Sequence, residues 1–421
     1  MHYLFATWDG GGTVAIDFGI ARHLVQRGHT LTILGDPTIE AEAERLGAAF
    51  VPWREAPHRK STALEDDLLK DWEPRTPFGL FRRVSERLIT GPAAAYARET
   101  EAEIRRHRPD VAIVDGAILG PMVATEALAV PTVGICPGFY ILPAPGMPPF
   151  GLGLRPARGR LGQVRDRFIN ALVTWAWRSG LPGLNTARAT YGLPPLSDPW
   201  DQLRGCHSVL VTTAKAYDFA AVLPPNVHYV GPILDDPVWA DGQPLALDED
   251  LPLVVVSLSG TYVVGQDDML RRTVSALDRL PVRGLVCTGP SIDPAEVPST
   301  ERVRVVASAP HAQVLPRASV VVTHGGHGTM TKALAAGKPV LCLPKFRDQK
   351  DNAVRLAVSG AGLVLSWKAR PASIAAAVQR LINEPAFAER AADLGRRIRG
   401  EIQQSPLVDL LEAPARSSKA A

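Results

Sequence analysis

A glycine-rich turn with two histidines carries the strongest chemical signal in this chain. In SVVVTHGGHGTMTKALAAG (Ser319 to Gly337) an apolar strand pattern runs into His324, and Gly326, Gly328 and Thr329 precede a helical pattern. Glycines let an anion approach the main chain, and the unpaired N–H groups and dipole of a helix start attract negative charge. The turn is therefore predicted to bind a diphosphate.

A second turn follows the strand LVVVSLS and supplies the hydroxyls of Ser259 and Thr261, so the two turns together are predicted to hold the diphosphate. A Walker loop is excluded because no GxxxxGK[ST] occurs. The paired histidines have no acidic or thiol companions, so no metal site is predicted. The acidic string Asp248 to Asp250 precedes a strand and is not predicted to be a Mg-diphosphate site.

Two polar residues, Asp348 and Gln349, follow the strand pattern PVLCLP at the start of another helix. A carboxylate is favoured at a helix start, and its oxygens can accept hydrogen bonds from a polyol such as a sugar. The alternative is that Asp348 only caps the helix.

A triple glycine near the front, in WDGGGTVAID (Trp8 to Asp17), could also approach a ligand closely. It lacks the GxGxxG pattern of a dinucleotide loop. Thr13 is predicted to be the N-cap of a helix from Val14 to Arg27, closed by Gly28.

The composition restricts the classes of function. The 421 residues are 46% hydrophobic and 21% charged with net charge +3, which indicates a globular protein and not a nucleic-acid binder. The four cysteines are far apart without a CxxC pair, so we expect reduced thiols: Cys136, Cys206, Cys287 and Cys342. With neither signal-peptide features nor a long apolar run, we expect a cytoplasmic protein without stable membrane insertion.

The elements that must position these residues alternate between short β-branched runs and helical patterns, which predicts an α/β protein with parallel sheets. The pattern restarts after a Pro- and Asp-rich stretch, so two similar domains are expected. The predicted divisions are a first domain (1–230), a linker (231–252), a second domain (253–400) and a C-terminal helix or tail (401–421); the resemblance described next implies that the first binds the acceptor and the second a nucleotide sugar. Between Pro143 and Pro195 we expect helices and loops over the cleft, with the apolar patch at 168–177 as an acceptor-pocket wall or ordinary core.

The order of motifs from Ala309 to Gly362, with APHAQVLPRA, THGGHGTMTKALAAGKPVLCLP and RDQKDNA, resembles the donor half of GT-B-fold glycosyltransferases that use nucleotide sugars. The likeness is to bacterial natural-product and plant secondary-metabolite enzymes, and extends weakly over the whole chain. It implies two Rossmann-like domains facing a central cleft, no cofactor or metal, and a dTDP- or UDP-sugar donor. A homodimer is left open.

The resemblance also implies roles for individual residues. His324, Gly326, Gly328 and Thr329, completed by Ser259 and Thr261, would hold the diphosphate, and the His311 to Val314 turn would meet the base. Asp348 and Gln349 would bind sugar hydroxyls. The leaving diphosphate would be stabilised by the helix start while an acceptor attacks the opposite face of the anomeric carbon, which inverts its configuration.

Two departures from that family stand out. Lys332 stands where a ribose-binding glutamate is frequent, which favours a deoxyribose donor such as a dTDP-sugar; the alternative is a surface lysine without a role. Thr13 stands where the family usually has a histidine base, so the GGGT turn is interpreted as the acceptor floor. A threonine hydroxyl is a poor base. Asp115, which would support that histidine, is predicted to be the base instead, with Asp9 and Asp17 in reserve.

Three functions remain open at this point. The leading prediction is an inverting transferase that moves a deoxysugar to a hydrophobic, phenolic or aromatic small molecule, as in antibiotic biosynthesis. A glycolipid glycosyltransferase is suggested by the apolar 168–177 segment and the arginines between Arg155 and Phe168, which are otherwise interpreted as a solvated loop face. A catalytically silent homologue acting as a partner or activator would explain the missing histidine.

Overall fold

The computed structural model describes residues 1–74, 76–236, 250–261 and 263–420. It contains two wholly parallel sheets covered by helices, which confirms the α/β architecture with two sheet domains. The acidic residues Asp248 and Glu249 and most of the predicted linker lie outside the described residues.

The first sheet has seven strands and the second has six, each rich in buried apolar residues. The strands are β1 His2–Ala6, β2 Thr30–Gly35, β3 Ala49–Pro52, β4 Val111–Asp115, β5 Thr132–Cys136, β6 Ser208–Val211, β7 Val227–Tyr229, β8 Leu253–Ser257, β9 Arg283–Cys287, β10 Val303–Val306, β11 Val320–Thr323, β12 Val340–Cys342 and β13 Gly362–Val364.

The helices cover both sheets and fill most of the connections. They are α1 Gly12–Gln26, α2 Glu40–Arg45, α3 Pro77–Val84, α4 Ala93–His107, α5 Leu119–Ala127, α6 Gly159–Arg178, α7 Leu181–Thr190, α8 Asp201–Arg204, α9 Gln266–Leu277, α10 His311–Val314, α11 His327–Ala335, α12 Gln349–Ser359, α13 Pro371–Asn383, α14 Pro385–Gln403 and α15 Leu407–Ala420.

The strand order places a crevice in each sheet. The first sheet runs β3-β2-β1-β4-β5-β6-β7, and the second runs β10-β9-β8-β11-β12-β13. The order reverses between β1 and β4 and between β8 and β11, and ligands of such sheets bind beyond the carboxyl ends of strands at these points. The turns after β1, β4, β8 and β11 are those in which the sequence places its chemical groups.

The C-terminal helix α15 returns to the first sheet. Leu407, Leu411 and Ala415 are buried in the core beside that sheet, and Tyr3 donates a hydrogen bond from its hydroxyl to the Leu411 carbonyl at 3.2 Å. The chain therefore crosses between the two halves twice. Among the described residues, no helix is both long and apolar enough to cross a membrane.

Two local predictions are wrong. Helix α1 begins at Gly12, and its N-cap is Gly11 at φ +75°, without a side-chain cap; Thr13 already lies within the first turn. A glycine can adopt that conformation, so it starts the helix earlier than a cap at the threonine would. Residues 159–168 are not a solvated loop face but the first half of α6.

Candidate active site

The predicted diphosphate turn connects β11 to α11. Gly326 is the N-cap of α11, and no side chain caps this helix start. Thr329 and Gly328 lie in its first turn and are partly exposed, and a Cβ placed on Gly328 would meet no atom within 4 Å. The helix start at Gly328 and Thr329 therefore faces open space in which an anion can be bound, whereas the His327 amide faces Asp348.

His324 lies directly against this helix start. Its Nε2 atom is 2.6 Å from the position that a Cβ on Gly326 would take, whereas Nδ1 is 3.5 Å from Thr323 Oγ1. Burial, and then the charge of Arg347, lowers the pKa of His324 to about 4. The imidazole is therefore neutral at physiological pH, and its Nε2–H tautomer can donate a hydrogen bond to a phosphate oxygen.

Two glycines of this turn allow a paired test. A Cβ on Gly325 (φ +91°) would lie 2.7 Å from Cys342 Sγ and 3.2 Å from the Gln349 carbonyl oxygen. Gly325→Ala is thus expected to lower stability by about 1–3 kcal/mol or more and to weaken nucleotide binding. Gly328→Ala should leave the melting temperature unchanged and weaken only nucleotide binding, measured by calorimetry. Unchanged affinity in Gly328→Ala would contradict close approach of a phosphate to this turn.

The Ser259 to Thr261 turn, after β8, brings the two halves together. Ser259 Oγ is 3.0 Å from Thr261 Oγ1 and accepts the Thr261 amide at 3.2 Å. On the other side, a Cβ on Gly11 would collide with Cγ2 of Thr261. The glycine turn of the first half therefore packs directly against a predicted phosphate turn of the second.

Asp348 and Gln349 also lie beside α11. Burial raises the pKa of Asp348, while the charge of Arg347, the nearby His327 amide and Asn352 Nδ2, which donates to Oδ2 at 3.0 Å, oppose that rise. Asp348 is the N-cap residue of α12, but its side chain does not cap that helix. Gln349 Oε1 accepts the amides of Lys345 and Phe346, which leaves Nε2 as its group for a ligand.

The predicted nucleobase turn contains a buried ion pair. Lys332 Nζ is 2.7 Å from Asp236 Oδ1, and both side chains are about nine-tenths buried. Asp236 also accepts the Ala312 amide at 3.0 Å. Lys332 is therefore not a surface lysine, because its ammonium group is buried and paired with Asp236; its role in donor choice stays a prediction.

His311 and Val314 bound the same turn. His311 Nε2 is 3.1 Å from Ser257 Oγ, and burial followed by the charge of Lys332 lowers its pKa to about 4. Val314 is 3% exposed and belongs to the core of the second half. Only the main chain of Val314 is therefore available to a nucleobase.

In the first half, Asp9 is committed to holding the glycine turn. Its carboxylate accepts the Gly11 amide at 3.0 Å and the Thr38 hydroxyl at 2.8 Å, and Arg59 lies 3.6 Å away. Thr13 differs, because its Oγ1 is buried without a hydrogen-bond partner. Of these two predicted residues, Thr13 is the one whose side chain makes no hydrogen bond, and its hydroxyl is buried.

Asp115, at the carboxyl end of β4, is fully buried below this turn. Burial raises its pKa to about 7, while the Ala117 amide, at 2.7 Å from Oδ1, and the Trp8 indole oppose that rise. Trp8 Nε1 and Asp115 Oδ2 nevertheless lack the geometry of a hydrogen bond, so Oδ2 remains able to accept one. A carboxylate with a pKa near neutrality is suited to proton transfer.

Three polar residues near the predicted site were underestimated from the sequence: Trp8 and Asp236 were given no role, and Asp17 only a reserve one. Trp8 faces Asp115, and Asp236 pairs with Lys332. Asp17 is 1% exposed, and its pKa is raised well above the usual range by burial and then by the charge of Asp115. The sequence could have indicated Asp17, because its carboxylate falls on the apolar side of α1. An unpaired charge is rarely buried on such a face, so a carboxylate there points to a special role.

A buried polar network fixes the two halves near the site. Arg355 of α12 pairs with Asp218 at 2.8 Å, with side chains 3% and 0% exposed, and its guanidinium lies over the ring of Phe139 at 3.7 Å. The hydroxyl of Tyr217 donates to the Asn352 carbonyl at 3.0 Å. These contacts hold the first half against the helix that begins at Asp348.

Comparisons with known proteins agree with this geometry. Residues 288–409 match the family described as erythromycin biosynthesis protein CIII-like, C-terminal domain. The chain is 28% identical over 424 residues to 4'-demethylrebeccamycin synthase of Lentzea aerocolonigenes, which covers 97% of this chain and 98% of that protein.

Solved structures show the same fold. The glycotransferase of kitacinnamycin superposes with a TM-score of 0.77 at 22% identity, covering 98% of both chains. The glycosyltransferase VinC, solved in complex with dTDP, superposes with a TM-score of 0.66 at 19% identity, covering 99% of this chain and 100% of its own. Together with the two parallel sheets and their facing turns, these likenesses show that the chain has the GT-B fold and that its sequence is similar to those of natural-product glycosyltransferases.

Proposed function

We propose that the protein transfers a deoxysugar from a dTDP-sugar, with inversion and without a metal ion, to a hydrophobic small molecule such as a phenol. The observation that carries the proposal is the uncapped start of α11, which faces open space with His324 beside it. It offers a leaving diphosphate several N–H donors and the positive end of a helix dipole.

The transfer can be written with the groups of the site. An acceptor oxygen forms a bond to the anomeric carbon while the bond from that carbon to the diphosphate breaks. The diphosphate keeps the electron pair, and its charge is stabilised by the α11 amides and by His324 Nε2–H. The acceptor proton passes to Asp115. Because Asp115 is fully buried, the transfer needs a relay for this proton, and we assign that relay to the hydroxyl of Thr13, which is also buried and has no hydrogen-bond partner.

The donor preference rests on Lys332. A lysine has no acceptor for a ribose hydroxyl, and Asp236 already accepts hydrogen bonds from Lys332 and Ala312. A 2′-hydroxyl would therefore lack a carboxylate here, whereas dTDP has no such group. The complex of VinC with dTDP, the structural neighbour, is consistent with this preference.

Calorimetric titration with dTDP and UDP in buffer containing EDTA tests the donor site. We expect both nucleotides to bind, and dTDP to bind about tenfold more tightly. That difference corresponds to the cost of one poorly satisfied hydroxyl, the 2′-hydroxyl of UDP. In the double variant Lys332→Glu, Asp236→Asn, the glutamate supplies a free carboxylate, and the asparagine prevents two carboxylates from lying side by side. This variant should shift the nucleotide preference towards UDP. Asp236→Asn alone is the control. Tighter binding of UDP by the unaltered protein, or binding that requires Mg²⁺, would contradict the proposal.

A further inference from the structure

Helix α6 exposes one apolar face that no part of the described chain covers. Five residues spaced by three, four, four and three positions lie on this face, which we call the α6 stripe. Their exposed fractions range from 53% to 89%: Leu161, Val164, Phe168, Leu172 and Trp175. Thirteen large apolar residues are exposed in the described chain, so this single face carries five of them.

The opposite face of α6 packs on the protein. Asp166 is buried, and the ring of Trp177 lies 3.9 Å from Phe81 and 5.0 Å from Trp200 between ring centroids. The apolar patch predicted as an acceptor-pocket wall is thus divided between two faces of one helix. The α6 stripe points into solvent, so it is not ordinary core.

Arginines border the stripe. Arg160, Arg167 and Arg178 are exposed and form no ion pair with any described residue. At 100° per residue they lie on one edge of the stripe, while Arg165, paired with Asp166, lies on the other. Asp166 is the one acidic residue of the helix and is buried, so the exposed side of α6 carries no acidic residue.

We propose that the α6 stripe docks the enzyme on an anionic membrane surface. A helix with aromatic and aliphatic residues on one face and arginines along its borders lies in the plane of a bilayer interface, where anionic headgroups attract the arginines. Charge argues against a second copy of this chain as the occupant, because two such faces would place arginines against arginines.

The loop before α6 contacts α12 of the second half. In the loop before α6, Phe150 and Leu152 are also exposed, and the Gly151 amide donates to Asp351 Oδ2 of α12 at 2.8 Å. Helix α12 begins beside the predicted sugar-binding residue Asp348. Docking through α6 would bring this exposed loop, which contacts α12, towards the bilayer that holds a lipophilic acceptor. The docking itself does not depend on the proposed donor.

Co-sedimentation with vesicles of phosphatidylcholine, with and without phosphatidylglycerol, tests the docking. The full chain should bind the anionic vesicles at least about tenfold more than the neutral ones, and added salt should weaken that binding. Phe168→Ser with Trp175→Ser should lower binding at least about tenfold. The matched control is Val222→Ser with Val358→Ser, which removes two exposed apolar residues elsewhere and should leave binding unchanged.

Two further measurements distinguish membrane docking from misfolding and from protein association. Melting temperatures should be equal in all variants because the substituted residues are exposed. Bromine-labelled lipid should quench the fluorescence of the unaltered protein more than that of Trp175→Phe, which assigns the contact to the stripe. Absence of vesicle binding, binding insensitive to the double substitution, or a dimer or protein complex that the double substitution abolishes without vesicle binding would overturn the proposal.

Discussion

Replacing Asp115 with asparagine is expected to lower the rate of glycosyl transfer about 10²–10⁴-fold, the usual contribution of a general base. The amide cannot accept the acceptor proton, but it fills the same volume and can still accept the Ala117 amide. Affinity for the nucleotide should stay unchanged because the donor turns belong to the other half. The test combines initial rates at saturating donor with calorimetric titration of dTDP.

The matched control is Asp17→Asn in the same buried region. Burial, and then the charge of Asp115, raises the pKa of Asp17 well above its usual range, which favours the neutral carboxyl that the amide resembles. Its Oδ2 accepts a hydrogen bond from Thr7, which asparagine can also accept. The rate should therefore change little. Equal losses in the two variants would indicate a structural effect, and an unchanged rate in Asp115→Asn would remove Asp115 from the mechanism.

The pH dependence gives Asp115 a second signature. Its pKa is raised to about 7, so it is protonated, and unable to act as a base, at lower pH. The rate should consequently fall below about pH 7, by about tenfold per pH unit at the limit, and level off above it. In Asp115→Asn this acid limb should disappear from the residual rate.

Replacing His324 with alanine is expected to weaken nucleotide binding and to lower kcat about 10²–10³-fold, as removal of one donor to a developing negative charge commonly does. His324 Nε2 lies at the start of α11, and the neutral ring donates a hydrogen bond without needing a proton from solvent. Binding is measured by titration with dTDP, and kcat by product formation at saturating donor.

The conservative variant His324→Gln distinguishes this role from a packing effect. A glutamine amide keeps an N–H donor on a side chain of similar reach, so it should recover part of the affinity and rate lost in His324→Ala. Melting temperatures of both variants show whether the folded state is intact. Normal dTDP affinity in a folded His324→Ala protein would refute the assignment to the diphosphate.

The donor half could be predicted in detail from sequence because its chemistry is local. The strand, the glycine turn and the helix start occupy consecutive residues from Val320 to Ala335, and a helix start exposes its first amides wherever it is placed. The same holds for the turn after β8. Short spans such as these need no long-range contact to bring their polar atoms together.

The acceptor half was harder to predict because its groups come from distant segments. Thr13 was expected to cap α1, but the positive φ of Gly11 starts the helix earlier and leaves the hydroxyl buried without a partner. Asp115 was placed at the end of its strand, whereas its contact with Trp8 follows from the pairing of β1 with β4. Which strands pair is decided only when the whole sheet forms, and not by the residues of either strand alone.

By itself, the sequence determined the α/β class, the restart that gives two sheets, and the strand–glycine turn–helix unit from β11 to α11, because periodicity and helix-start signals act over a few residues. Tertiary structure alone decided that Lys332 is paired with Asp236, that Asp115 is fully buried, and that the apolar residues of α6 divide into a packed face and an exposed one. Burial and ion pairing depend on which distant segments come into contact. The free energy of that packing is a property of the whole folded chain, so no short stretch of sequence determines it.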